Sequence, residues 1–430
     1  MQDERDNQSS SWVVLEEESV EDPQKAKKQL KQARKARKKQ KRTRHGLRNA
    51  MIAAVSLVIV YCILVFSHIP FIEKWRTIYI ETAMGTMNHQ WLATLFLPQS
   101  VIDDVMNGRL VLELQQEDDN STWQAEADFD DPQDAIDTWS DIQDQFSEAY
   151  AEIDQQSFAA FMKKHQKNEV LDEDGYLLID AADYDAEDTG ITTIYGDPVC
   201  AIDTRNGIVI VTLRGDGYSG RMAIVKNPGQ VKLAVSRTLG SSGSYLKDMC
   251  RQNNAILGIN ASGFSDPEGS GNGGEAFGMI MTDGTACRPD LDTTMKIISI
   301  DTANRLNVTN TLPAGARDAM QFSPALIING RQLISGSSGW GLQPRSVIGQ
   351  TAEGQILMAV IDGRQPGYSI GITLGDLTDI LYRYGAYQAS NLDGGSSAVM
   401  YYRGRDITRS SAVTPEKGRH IPNAWIVTAN

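Results

Sequence analysis

Ala50 to Phe66 reads AMIAAVSLVIVYCILVF, without one charged residue, and no other stretch restricts the folding of this chain so strongly. As a helix it would run about 26 Å. Weaker apolar character continues to Ile72, giving the length needed to cross a hydrocarbon core roughly 30 Å thick. No amphipathic face is visible and both flanks are polar, which argues against a core helix. A cleaved signal peptide needs a short leader and a small-residue cleavage site; here the basic run comes first and FSHIPFIEKW follows. The expectation is an uncleaved single-pass anchor over residues 50–72.

Charge sets its orientation. Residues 1–49 hold 14 Lys and Arg against 8 Asp and Glu, although the whole chain carries a net −14. Most of this basic charge lies between Lys25 and Arg48, and positive flanks stay on the cytoplasmic side. Residues 1–49 are therefore expected as a basic cytoplasmic tail and everything beyond Ile72 as extracellular. Within the tail, Trp12-Val13-Val14-Leu15 is an apolar patch suited to docking a cytoplasmic protein partner. The body after the anchor is strongly acidic, so nucleic acid is not expected as a partner: phosphate backbones need stripes of Lys and Arg. Cys62 falls in the anchor, leaving Cys200, Cys250 and Cys287 outside with no metal-ligand spacing. All three read as small buried hydrophobes.

From Thr77 to about Phe161 helical spacing dominates, first through Val101, Ile102, Val105 and Met106, then through Ile136, Trp139, Ile142, Phe146 and Tyr150. The second set is crowded with acidic residues, and residues 73–190 are expected as an exposed acidic helical stalk and linker. Asp172-Glu173-Asp174-Gly175 and Asp183 to Asp188 lack the alternating ligands and closing Glu of a calcium loop. From Ile191 the texture changes to short β-rich runs broken by Gly, Asn and Pro, among them Gly207–Leu213, Arg221–Val225, Ala255–Ile259 and Ile356–Ile361. Two helices interrupt, near 243–253 and from Thr373 to Tyr384, the latter with Asp376 as capping partner and Gly385 as stop. The fold class expected is α+β: a sheet-dominated ectodomain with few helices over residues 191–430.

One turn stands out. Ser390-Asn391-Leu392-Asp393-Gly394-Gly395-Ser396-Ser397 places an acid between an amide and a Gly-Gly pair, with two hydroxyls behind. Adjacent glycines let backbone N–H groups approach an anion closely. Taken alone, the same residues also suit a hairpin turn. Upstream stand INASGF (259–264), PRSVIG (344–349) and VIDGR (360–364); downstream stands GRHIPNAW (418–425). In this order and spacing the set resembles the phosphodiester glycosidase family over about the last 240 residues. Two departures from the family pattern, Ala261-Ser262 after Asn260 and one Gly fewer in NLDGGSS, bear on substrate identity more than on reaction class.

The resemblance implies a sugar 1-phosphodiester substrate, and the residue types can be matched to that chemistry. Arg345, Arg364 and Arg419 are the candidate phosphate ligands, since a planar guanidinium meets phosphate in two-point fashion. Asp393 and Asp362, each ending an apolar run and followed by Gly, are the candidate catalytic pair, and Glu275 in SGNGGEAFG is a third carboxylate. Asn260, Asn391, Gly394, Gly395, Ser396 and Ser397 are candidate substrate ligands. Ser396 and Ser397 come with no G-x-S-x-G elbow, so a serine hydrolase is not expected. No cofactor is expected, although Asp266, Glu268, Asp362 and Asp393 would offer hard oxygen ligands to a divalent cation such as calcium. The function expected is a membrane-anchored extracellular hydrolase acting on a cell-surface sugar-phosphate polymer or related glycan. The same cleft would also suit a polymer-binding protein in exopolysaccharide assembly, or a glycosyl transferase.

Overall fold

The computed structural model describes residues 23–86, 89–124, 146–183, 189–269, 271–412, 414 and 418–430. It divides into two units, one ending at Ser67 and the other running from His68 to Asn430. In the first, helix α1 (Pro23–Phe66) carries the basic run and the apolar stretch on one uninterrupted helix. Its Leu30–Phe66 portion contains an 18-residue window with a mean hydropathy of 2.5, long and apolar enough to cross a membrane. The helix stops short of the expected Ile72. Pro70 opens a new helix, α2 (Pro70–Met84), and Ile69 before it is extended at φ −64° and ψ 120°, as a residue preceding proline must be. The apolar patch at residues 12–15 lies outside the described residues.

The second unit is built on a nine-stranded antiparallel sheet. Its spatial order is Leu178–Asp180, Val199–Asp203, Ile208–Gly215, Tyr218–Val225, Ile356–Ile361, Arg345–Thr351, Ala386–Asn391, Ala325–Ile328 and Arg331–Gln332. Side chains alternate across it with a period of two. Val209, Val211 and Leu213 enter one core cluster, whereas Ile208 and Ile210 enter another. The first cluster is closed by helices, including Leu374–Arg383. The second is closed by two five-stranded antiparallel sheets, one centred on Ala316–Phe322 and the other on Ala255–Asn260. Sheet dominance with few helices is the fold class read from the sequence, and Ile356–Ile361 and Ala325–Ile328 fall where the apolar runs put them. Thr373 caps its helix as expected, accepting from the Asp376 N–H at 3.1 Å, and Gly385 ends the run at φ +81°.

Residues 73–190 depart from an exposed stalk. Phe146, Tyr150, Ile153, Phe158, Leu177 and Ile179 are all buried in the core cluster on the helical face of the large sheet. Acidic neighbours disguise this: Glu148 is exposed while residues three and four apart, Phe146, Tyr150 and Ile153, face inward. Ile136, Trp139 and Ile142 lie outside the described residues. Further upstream, α2, α3 (Trp91–Thr94) and α4 (Gln99–Gln115) share a small core of Ile80, Ala83, Ala93 and Ile102. Buried Gln116 then ties this segment down, its side chain donating to the Ala325 carbonyl at 3.0 Å. Of the cysteines, Cys200 and Cys250 are buried thiols, but Cys287 is exposed, contrary to expectation, because its short strand lies at a sheet edge.

Candidate functional site

Strand Ala386–Asn391 delivers the chain into the Gly-Gly turn, which is threaded between two other segments. The Leu392 N–H donates to the Ser346 carbonyl (2.9 Å), Asp393 N–H to Ala261 (3.0 Å) and Gly395 N–H to Pro344 (3.0 Å). Space explains the glycines. A β-carbon on Gly394 would lie 2.5 Å from the Pro344 carbonyl oxygen, inside contact distance with fixed backbone. Gly395 adopts φ +59°, and a β-carbon there would press on the Arg364 guanidinium at 3.2 Å. The turn is therefore more than hairpin punctuation: it lets a cation sit directly over its backbone.

Around this turn three charged side chains gather. Asp393 is half-buried, and burial pushes its carboxyl up to about 6, against the pull of Ser397, Arg419 and the Gly394 N–H. The neighbouring donors do not outweigh desolvation here. Arg364 lies within electrostatic reach of Asp393; burial and the like charge of Arg419 push its guanidinium down, and Asp393 opposes this. Two of its nitrogens donate to Gln343 Oε1, at 3.1 and 2.8 Å. Arg419 donates to Asp266 Oδ2 (2.6 Å), to Ser396 Oγ (3.0 Å) and to the Gly271 carbonyl (3.0 Å), with its guanidinium over the Phe264 ring. That ion pair holds the Asp266 carboxyl below its usual range. Asp393, Gly394, Gly395, Ser396, Ser397, Arg364 and Arg419 thus belong to one constellation.

Other candidates are placed elsewhere. Asp362 is buried, with Oδ2 accepting from the Tyr368 hydroxyl (2.8 Å) and Oδ1 from the Arg409 N–H (2.9 Å). Burial raises it to about 6, and its charged neighbours are Arg221 and Arg409 rather than Asp393. It braces the segment whose Ser410 hydroxyl donates to the Ser396 carbonyl at 3.0 Å, and so supports the turn through that segment. The carboxylate that does act on Asp393 is Asp266. Glu275 is exposed and lines a cavity of about 830 Å³ together with Arg237, Ser265, Phe277 and Arg288.

Both amides also turn inward. Asn260 is wholly buried: its Nδ2 donates to the Asp393 carbonyl (2.6 Å), while its Oδ1 accepts from Ser346 Oγ (2.6 Å) and Val399 N–H (3.2 Å). It is a bracket joining two sheets. Asn391 is buried as well, donating to the Ser323 carbonyl at 3.2 Å. Arg345 is buried on its strand, with one nitrogen donating to the carbonyls of Trp340 (2.8 Å) and Gly341 (2.9 Å). Burial first, then the like charges of Arg364 and Arg109, push its guanidinium down to about 9. It deepens the positive potential behind Arg364 while holding a loop in place. Among the described residues no three His, Cys, Asp or Glu side chains gather as a metal site; the side chain of Glu268 lies outside the described set.

Two residues were missed as site members. Asp266 was read only as a metal ligand, and Gln343 not at all. Each acts on an arginine far away in sequence, which no local pattern encodes.

Comparison with known proteins bears out the resemblance read from the sequence. Residues 253–428 match the model of the phosphodiester glycosidase family. The SPbeta prophage-derived uncharacterized protein YomE of Bacillus subtilis (strain 168) is 27% identical over 182 residues, covering 38% of this chain and 27% of the relative; the chain thus spans only about a quarter of that relative's length. Among solved structures, the catalytic domain of zebrafish N-acetylglucosamine-1-phosphodiester alpha-N-acetylglucosaminidase, auto-inhibited by its pro-peptide, superposes with a TM-score of 0.43 at 17% identity, over 52% of this chain and 82% of that one. A hypothetical protein from Synechocystis gives a TM-score of 0.41 at 16% identity, over 56% and 65%.

Proposed function

We propose that this phosphodiester glycosidase-like domain is a hydrolase, anchored by α1 on the outer face of a cell membrane, that cleaves a sugar 1-phosphodiester in a surface glycopolymer. One observation carries the reading: Asp393, Arg364 and Arg419 converge on a glycine turn, a carboxylate within reach of two guanidinium groups, one of which is also paired with Asp266. A site for a phosphate diester needs cations for the bridging anion and a carboxylate facing the anomeric carbon. Arg364 and Arg419 supply the first, with Arg345 adding potential from behind. Asp393 supplies the second.

In the proposed step a water oxygen bonds to the anomeric carbon as the carbon–oxygen bond to phosphate breaks. The electron pair leaves with the phosphate oxygen, and the water proton passes to Asp393. The departing monoester has a second pKa of about 6, so charge stabilisation by the arginines can replace protonation by a second acid. Asp393 could equally attack the carbon first and be released by water, and an acceptor hydroxyl in place of water would give transfer.

Arg364 gives the sharper test of the phosphate clamp, because its hydrogen bonds go to the neutral amide of Gln343. Arg364→Ala should cut kcat/KM for a sugar 1-phosphodiester by an amount worth about 2–4 kcal/mol, with a smaller loss on an aryl glycoside lacking phosphate. Steady-state kinetics on the two substrates reads this directly. Equal losses on both would remove Arg364 from the phosphate site.

A further inference from the structure

Helix α2 buries polar side chains beside its apolar core residues Ile78, Ile80 and Ala83. Its polar residues Glu81 and Thr82 point into the protein: Glu81 Oε1 accepts from the Gly339 N–H (2.7 Å), and Thr82 Oγ1 accepts from the Leu342 N–H (2.9 Å). Its outward face carries Phe71, Trp75 and Tyr79, spaced four apart and so aligned along one side. All three are exposed, Phe71 by 72%. Trp91, Leu95 and Phe96, on and just after α3, are exposed too, Leu95 by 69%. The two sets belong to one surface, because the Tyr79 hydroxyl donates to the Leu92 carbonyl at 2.6 Å and the helices share the Ile80–Ala93–Ile102 core. A contiguous aromatic and aliphatic face of this kind is rarely left to water in a soluble domain.

The chain itself says what covers it. Phe66 ends the apolar helix and Pro70 begins α2, and four residue steps reach no further than about 14 Å. Whatever the path of the intervening residues, α2 starts at the edge of the bilayer that α1 enters. Trp and Tyr favour that boundary, where the ring is apolar and the N–H or O–H stays wet. We infer that the Phe71–Trp75–Tyr79 face of α2, with Trp91, Leu95 and Phe96, lies in the lipid interface and seats the domain on the membrane surface. The inference rests on the anchoring role proposed for α1. It has a mechanical consequence: the Thr82 carbonyl of α2 accepts from Gln343 Nε2 at 3.0 Å, and Gln343 in turn holds Arg364. The lipid-facing helix and the phosphate clamp share one residue between them.

The test uses the full chain in phosphatidylcholine–phosphatidylglycerol vesicles. With Cys62→Ser and Cys287→Ser removing the exposed thiols, Leu95→Cys carries an environment-sensitive fluorophore, and Leu312→Cys, exposed just after strand Leu306–Thr309, is the control. The label at 95 should shift to the blue, lose most of its emission to a quencher borne on lipid headgroups, and resist iodide supplied on both sides. The label at 312 should do the reverse. Iodide quenching at 95 equal to that at 312, in vesicles that keep the protein through an alkaline wash, would overturn the lipid contact and leave the anchor standing. Protection at 95 from both quenchers would mean that a second copy covers the face, and would overturn it also. Loss of the protein in the alkaline wash would defeat the anchor and this inference together.

Discussion

Asp393→Asn should leave a folded protein that is at least as stable as the parent at pH 7 and slower by a factor of about 100 or more, the size expected for a positioned catalytic group. The two halves of this result have one cause. Burial raises the Asp393 carboxyl to about 6, so between the unfolded value near 4 and about 6 the folded protein binds more protons than the unfolded chain. Stability is then full at low pH and is lost as pH rises through that window. At neutral pH the ionised group costs on the order of 1–3 kcal/mol, which the amide does not. Asp362 and Asp406, also raised to about 6 by burial, keep part of the same pH trend in the variant. In the parent enzyme kcat/KM should fall as pH drops below about 6, as the carboxylate is lost. Denaturant titration at pH 4.5 and 7.5, with kinetics over the same range, checks each part. A variant that is folded and nearly as active would return the turn to a structural role.

Cutting the chain at residue 191, where the β-rich texture begins, should destroy the domain, while a chain starting at residue 68 should fold. The shorter fragment lacks Phe146, Tyr150, Ile153, Phe158, Leu177 and Ile179, all buried against the large sheet. At about 1.5–3 kcal/mol for each buried side chain, their loss rivals the whole net stability of a typical domain, about 5–15 kcal/mol. It also removes strand Leu178–Asp180 and bares the edge of Val199–Asp203. The 191–430 fragment is expected to bind a hydrophobic dye, lose its near-ultraviolet dichroism and aggregate. A cooperative unfolding transition matching that of 68–430 would show the helical segments to be dispensable.

That segment marks where the sequence was hardest to read. Acidic composition around Phe146 and Tyr150 suggested an exposed helix, yet burial is decided by the aromatic face and not by the average. The apolar helix and the sheet were legible because both rest on local pattern: an uncharged run for one, and short apolar runs bounded by Gly and Asn for the other. The glycine turn was legible for a related reason, since two adjacent glycines before paired hydroxyls have few uses. What could not be read was direction. Asn260 and Arg345 sit in motifs beside the site, but Asn260 is spent on bridging Asp393, Ser346 and Val399, and Arg345 on loop carbonyls. Asp362 looked like the twin of Asp393 because both end an apolar strand before a glycine. Their strands flank Arg345–Thr351 in the large sheet, but the partners of the two carboxylates differ: Tyr368 and the Arg409 N–H for Asp362, Ser397 and Arg419 for Asp393.

Turnover of an N-acetylglucosamine 1-phosphodiester by the full chain in water enriched in oxygen-18 separates attack at carbon from attack at phosphorus. If Asp393 directs water or a covalent step at the anomeric carbon, the heavy oxygen must appear in the released sugar, and the phosphate monoester must keep only its original oxygens. Heavy oxygen in the phosphate product would make the protein a phosphodiesterase acting at phosphorus, and tight binding of the diester without any release of sugar would make it a binding protein; either result would contradict glycosidic cleavage at this site.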